Sequence, residues 1–204
     1  MSLSIGKKVS IFVIGLLIID QISKIWIKTN MTIGESIPVF GSWFQIYFIE
    51  NNGMAFGMQF GGVWGKILLT AFRIVLIGFI IGYIRSLISK KAPVAVVFGV
   101  SLILIGAMGN VIDSLFYGLL FGESTFTQIA SFLPEGGGYA PFMQGKVVDM
   151  LYFPLIDTTL PEWIPFWGGE DFIFFRPIFN IADSCITIGV AYLLLFQRKF
   201  FSHN

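Results

Sequence analysis

Residues 94–113 read VAVVFGVSLILIGAMGNVID, and this stretch decides how the whole chain is read. Val94–Ile112 carries no charge. As a helix rising ~1.5 Å per residue it covers roughly 28 Å, close to the hydrocarbon thickness of a bilayer. Three further runs behave alike: Val9–Ile27, Ile67–Ile84 and Ile178–Phe196. The expected fold is therefore an all-α membrane protein, a single domain over 1–204 with four transmembrane helices. Composition agrees, because 55% of the 204 residues are hydrophobic and only 12% charged, against roughly a quarter charged in soluble domains. Asp20 and Lys24 inside the first run, with no A-x-A site after it, argue against a removable signal peptide.

Loop charge sets an expected orientation. Lys7 and Lys8, then Arg85, Lys90 and Lys91, then Arg198 and Lys199 flank the runs in three segments that hold no acid. Segment 113–177 has only Lys146 and Arg176 against a surplus of acids, and segment 28–66 balances Lys28 and Lys66 with Glu35 and Glu50. The positive-inside rule then places both termini in the cytoplasm and the two long segments outside. Within the first of these, Val39–Ile49 is β-branched and aromatic between turn residues and reads as a strand or hairpin, a small β-rich extracytoplasmic segment. Residues 118–145, with Gly136–Gly138 among aromatics, read as a loop on the membrane surface. Leu160–Trp167 suits an interfacial aromatic belt. The Gly78 and Gly82 pair offers a helix contact.

The inventory of reactive groups is short. His203 is the sole histidine and Cys185 the sole cysteine, which removes most histidine-assisted serine or cysteine catalysis and histidine-ligated zinc chemistry, and excludes an internal disulfide framework and multi-thiolate metal sites. No metal and no cofactor is expected, and a net charge of +1 suggests no nucleic-acid partner. Catalysis is left to carboxylates, lysine or hydroxyls.

Charged groups within membrane spans are costly and ask for a reason. With the orientation above, Asp20, Arg73, Asn110, Asp113, Asn180 and Asp183 all fall in the outer third of the bilayer. Asp20 and Lys24 are i, i+4 and suit a structural ion pair. Arg73 suits snorkelling or carboxylate pairing. Asp183 has no base one turn away and shares a helix face with Asn180, which makes it a candidate functional acid. Asp149 stands alone in an apolar run; alone it reads as a turn cap, whereas beside Asp183 it forms a carboxylate pair. Two such groups cannot both ionise cheaply, so they share a proton, and one activates water while the other polarises a carbonyl. A Ser–Lys peptidase is disfavoured because Ser23 points ~100° away from Lys24 on the helix. A proton-coupled carrier, the alternative of another class, is disfavoured because the cytoplasmic half of every span is nearly free of polar groups, and a non-catalytic scaffold would use the same acids as a staple.

Five blocks bear a family resemblance. Asp20-Gln-Ile-Ser-Lys24 resembles the first signature of lipoprotein signal peptidase (signal peptidase II), and Asn51-Asn-Gly53-Met-Ala-Phe56-Gly57 its N-x-G-x-A-F segment. Gly106-Ala-Met-Gly109-Asn110-Val-Ile-Asp113 is similar to its third signature. Gly145-Lys-Val-Val-Asp149 and Phe179-Asn180-Ile-Ala182-Asp183-Ser184 resemble its last two. The resemblance implies an intramembrane aspartyl endopeptidase of the bacterial cytoplasmic (inner) membrane. It would remove signal peptides from diacylglyceryl-modified prolipoproteins, cutting just before the lipidated cysteine. It also implies Asp149 and Asp183 as the catalytic pair, with Asn180, Asn110, Asn51, Gly53, Ala182 and Asp113 supporting the site or binding substrate. Asp20, Lys24 and Arg73 are expected to be structural or site-supporting. A monomer among membrane lipids, with the site towards the extracytoplasmic face and sensitive to globomycin-type cyclic peptides, completes the expectation.

The chain departs from the family pattern in places. Ser114 stands where the family has arginine, Met150 where it has phenylalanine, and residues 119–144 behave as an insertion. The expectation is therefore that another base, Lys146 or Arg176, neutralises Asp113, or that the inserted loop reshapes the site.

Overall fold

The computed structural model describes residues 3–53 and 62–202. Helix α1 (Ile5–Asn30) starts at Ser4, whose Oγ accepts from the Lys7 amide, a hydroxyl cap on an otherwise unpaired helical donor. A hairpin follows, β1 (Ser36–Phe40) and β2 (Phe44–Asn51), which bears out the strand reading of Val39–Ile49. Then come α2 (Gly62–Ser89) and α3 (Val94–Ile112). A π-helical turn (Asp113–Tyr117) and a short α4 (Gly118–Leu120) prolong α3. Strands β3 (Val147–Tyr152), β4 (Ile156–Thr159), β5 (Asp171–Phe174) and β6 (Ile178–Phe179) lead into α5 (Ile181–Phe196) and α6 (Arg198–Ser202).

Among the described residues, three helices are long and apolar enough to cross a membrane: α1, α2 and α3 with its extension. The fourth expected run, Ile178–Phe196, begins its helix late. Ile178 and Phe179 pair with β3, and Asn180 is the cap, so α5 is a shorter apolar helix of 16 residues. The first two helices, conversely, extend past the apolar runs at both ends, because helix geometry continues into the interfacial polar residues.

Helix α3 is the axis of the bundle and is mostly buried, whereas α1 and α2 turn most of their side chains outward. Ile11, Ile14, Ile18, Leu68, Phe72 and Phe79 are exposed, as expected of a surface solvated by lipid tails. Inward, Val9, Val13, Leu17, Ile84, Val97, Val100, Leu104, Cys185 and Leu193 form one apolar core. Helices α3 and α5 pack through small residues. A Cβ on Gly106 would fall on the Ala182 carbonyl oxygen, and one on Gly99 would lie 2.7 Å from Leu193 Cδ2. Close backbone approach of this kind replaces the hydrophobic drive that is absent between helices in lipid. Gly78 and Gly82 have nothing within 4 Å, so the contact expected there is not made within the described residues.

Above the bundle lies a four-stranded antiparallel sheet in the order β1-β2-β3-β6. Asp149 is therefore on a central strand, and the loop or turn-cap reading does not hold. Ile49 pairs with Asp149, and Glu50 with Val148. Since side chains alternate between faces, Asp149 looks one way while Phe48, Glu50, Val148 and Met150 look the other. The second face packs with Ile27, Met31, Tyr117, Phe121 and Ala130 into a separate core, roofed by the segment expected to be an insertion. That segment is more structured than a plain surface loop: Phe121 bridges Phe132, and Tyr139 donates to the Phe121 carbonyl. Strands β4 and β5 form a second hairpin, whose connection holds the exposed Trp163, Phe166 and Trp167.

Candidate active site

Asn180 organises the site because it ends one element and begins the next. Its side-chain Oδ1 accepts from the Asp183 amide at 2.8 Å, while Asp183 Oδ2 accepts from the Asn180 amide at 3.4 Å, a reciprocal capping box. With Oδ1 thus used, Nδ2 turns to Asp149 Oδ1 (2.7 Å), Asn110 Oδ1 (3.0 Å) and the Val148 carbonyl (3.2 Å). One amide therefore touches both β3 and α3 while capping α5.

Asn110 is oriented by the same logic. Lys24 Nζ donates to its Oδ1 at 3.1 Å, so its Nδ2 points at Asp183 Oδ1, 2.7 Å away. Asn51 completes the set: its Oδ1 accepts from the Gly53 amide, which leaves Nδ2 to donate to Asp149 Oδ2. Gly53 has φ +83°, a left-handed conformation that glycine adopts without penalty, and its carbonyl accepts from Arg73 Nη2 at 2.5 Å. Arg73 is thus used on the backbone that holds Asn51. Ala55, Phe56 and Gly57 of the same block lie outside the described residues.

Asp149 is 3% exposed. Burial pushes its carboxyl up to about 7, and the neighbouring Asp183 charge adds to the rise. Lys24 and the Asn180 and Asn51 amides pull the other way and are outweighed. Asp183 is less buried and sits in the first turn of α5, where the helix N-terminus favours negative charge. The two carboxylates thus differ in surroundings, the condition for giving an acid and a base different roles.

Beneath this pair is a second charged group, fully buried. Lys24 lies 3.0 Å from Asp20 and 2.9 Å from Asp113. With Asn110 it uses all three ammonium donors, which leaves no free base for Ser–Lys chemistry. Ser23 Oγ donates instead to the Asp20 carbonyl. Lys24 is also the cation of Asp113, which corrects the expectation of Lys146 or Arg176. Lys146 lies 3.7 Å from both Glu50 and Glu123, and Arg176 donates to the Asp171 carbonyl. Ser114 is buried and donates to the Asn110 carbonyl at 3.0 Å. Asp20 Oδ1 accepts from the Ala182 amide at 2.9 Å, so the acid satisfies a donor in the first turn of α5. A Cβ on Gly109 would lie 2.6 Å from Asp20 Oδ2 and 2.8 Å from Ala182 Cβ, which accounts for small residues at both positions.

Sequence reading missed Gln21. Its Nε2 donates to Asp20 at 3.1 Å and Asp113 at 2.9 Å, and its Oε1 accepts from Tyr117. Its place between Asp20 and Lys24 in the first block was the available signal. Glu50 figures in the sequence only as loop charge.

This arrangement has counterparts. The sequence profile of the family described as signal peptidase (SPase) II matches residues 12–199. The chain belongs to the signal peptidase II family. It is 50% identical over 191 residues to a lipoprotein signal peptidase of Porphyromonas gingivalis, covering 93% of this chain and 82% of that protein. It is 39% identical to one from Amoebophilus asiaticus, covering 89% and 73%. A bacterial membrane enzyme solved in meso at 1.9 Å shares the fold with TM-score 0.58 and 25% identity, covering 93% of this chain and 91% of that one. The protein is accordingly a membrane-embedded peptidase of lipoprotein processing.

Proposed function

We propose that this peptidase cuts diacylglyceryl-modified prolipoproteins just before the lipidated cysteine, with Asp149 and Asp183 sharing one proton. Water adds to the scissile carbonyl carbon as the ionised Asp183 takes its proton. The protonated Asp149 donates to the carbonyl oxygen. The tetrahedral adduct then collapses: the C–N bond breaks, the proton held by Asp183 passes to the leaving amine, and Asp149 regains its own from the adduct hydroxyl. The products are the signal-peptide carboxylic acid and the free amine of the lipidated cysteine. The observation that carries this reading is the Asn180 side chain, whose amide group touches Asp149 while its oxygen caps Asp183.

The same reading makes residues 1–204 a single peptidase domain and a monomer in the bacterial inner membrane. Its α5 is the fourth crossing, both termini are cytoplasmic, and the site faces the extracytoplasmic side. Asn110, Asn51 and Asn180 hold the acids; Gly53 and Ala182 permit the close approach; Asp20, Lys24, Asp113 and Arg73 fix the frame. Acyl chains buried in the bilayer hold the substrate in register and lower the entropic cost of reaction. Globomycin-type cyclic peptides are expected to block the site.

Mass analysis of products from paired precursors, with and without the diacylglyceryl group, tests this. The lipidated precursor should be cut at the bond preceding its cysteine. Equal cutting of the unlipidated precursor, or a cut elsewhere, would contradict the proposal.

A further inference from the structure

On the face of the sheet opposite Asp149, a second buried charge cluster joins the inserted segment 119–144 to the strand that carries Asn51. Lys28, in the last turn of α1, is fully buried. Its Nζ donates to Glu50 Oε1 and, at 2.9 Å, to Ser124 Oγ. Ser124 in turn donates to Glu50 Oε1 at 3.2 Å. The Lys28 ammonium also lies 4.8 Å from the Tyr139 ring centroid and 5.6 Å from that of Phe121, within cation–π range. Phe121, Ser124 and Tyr139 all belong to the inserted segment. Two further hydrogen bonds fasten the same region: the Ile33 amide donates to the Thr125 carbonyl at 3.0 Å, and the Lys146 amide to the side-chain Oη of Tyr139 at 2.5 Å.

A buried ion pair adds little net stability over apolar packing, yet breaking it leaves a costly unpaired charge. Its worth lies in position. Glu50 and Asn51 are consecutive on β2, so their side chains leave opposite faces of the sheet. Glu50 pairs across the ladder with Val148, the residue preceding Asp149. Whatever fixes Glu50 therefore fixes where the Asn51 amide meets Asp149 Oδ2. Displacements well under 1 Å matter for groups that must meet a reacting bond.

We propose that the inserted segment is a positioning element for Asp149, acting through Ser124, Lys28 and Glu50 on Asn51. The proposal rests on the reading of Asp149 as catalytic. Glu50 and Lys28 are positioning residues and do not touch substrate.

A double-mutant cycle in kcat separates this from a merely structural role. In the purified full-length protein, Glu50→Gln should lower kcat about tenfold with KM changed less than about twofold. In an Asn51→Ala background the same substitution should lower kcat by less than about twofold further, since the route to Asp149 is already cut. Its effect on Tm should be the same in both backgrounds. Wild-type kcat for folded Glu50→Gln, or an undiminished tenfold loss in the Asn51→Ala background, would overturn the proposal. Should Glu50→Gln not fold, Ser124→Ala carries the same cycle with a loss of about threefold expected, and no loss overturns it. Activity retained by Asp149→Asn would instead sink the catalytic reading underneath.

Discussion

Asp149 shows how one residue's surroundings convert into chemistry. Its carboxyl is raised to about 7 by burial and by Asp183, against about 3.9 in an unfolded chain. The folded state therefore holds a proton that the unfolded state has lost. Stability from this group is complete below about pH 4 and declines as pH rises to about 7, by an amount on the order of 4 kcal/mol. Asn cannot ionise, so Asp149→Asn removes that decline. Thermal shifts across pH 4–8 should show the Tm advantage of Asp149→Asn over wild type growing from pH 4 to 7 and levelling above. A Tm difference independent of pH would mean that Asp149 is not held protonated. The neighbouring Lys24 carries the opposite lesson. Its two acids and Asn110 leave it no spare donor, and the cation of Asp113 stands one helix turn from Asp20.

At the scale of elements, the helices were legible because nothing else explains apolar runs of that length with so few charges, and the β1–β2 hairpin because its β-branched and aromatic residues sit between turns. The strand around Asp149 was less visible. Gly145-Lys-Val-Val-Asp149 is too short to show alternation, since β3 is covered on both faces and both sets of side chains are apolar except Asp149 itself. The start of α5 was misplaced for a related reason. Ile178 and Phe179 continue the apolar run, and only the capping box at Asn180 reveals where the helix begins. The glycines of the third block were legible as a motif but not as packing. Gly106 faces the Ala182 carbonyl, so Gly106→Val should push α5 away from α3 and lower stability by about 1–3 kcal/mol. A loss of Tm together with loss of cleavage is the expected result, and unchanged Tm would show that the two helices do not meet there.

Across the whole molecule, two layers divide the work. Among the described residues, the layer of α1, α2, α3 and α5 is built around the apolar core of Val9, Val13, Leu17, Val97, Val100 and Leu104. The polar layer above it gathers Asp20, Lys24, Asn51, Asn110, Asp113, Asp149, Asn180 and Asp183 from three helices and a sheet. Five sequence blocks far apart in the chain end there, which is why the family could be read from sequence while the roles of Gln21, Glu50 and the inserted segment could not. Those roles depend on contacts that no local pattern encodes. The central claim is that Asp149 and Asp183 together perform the cleavage. It is tested most directly by incubating a diacylglyceryl-modified precursor with wild type, Asp149→Asn and Asp183→Asn, each shown to be folded by thermal shift. The account predicts cleavage by wild type and a loss of at least about 1,000-fold in each variant, as for removal of a group acting in concert. Cleavage near the wild-type rate by either folded variant would contradict it.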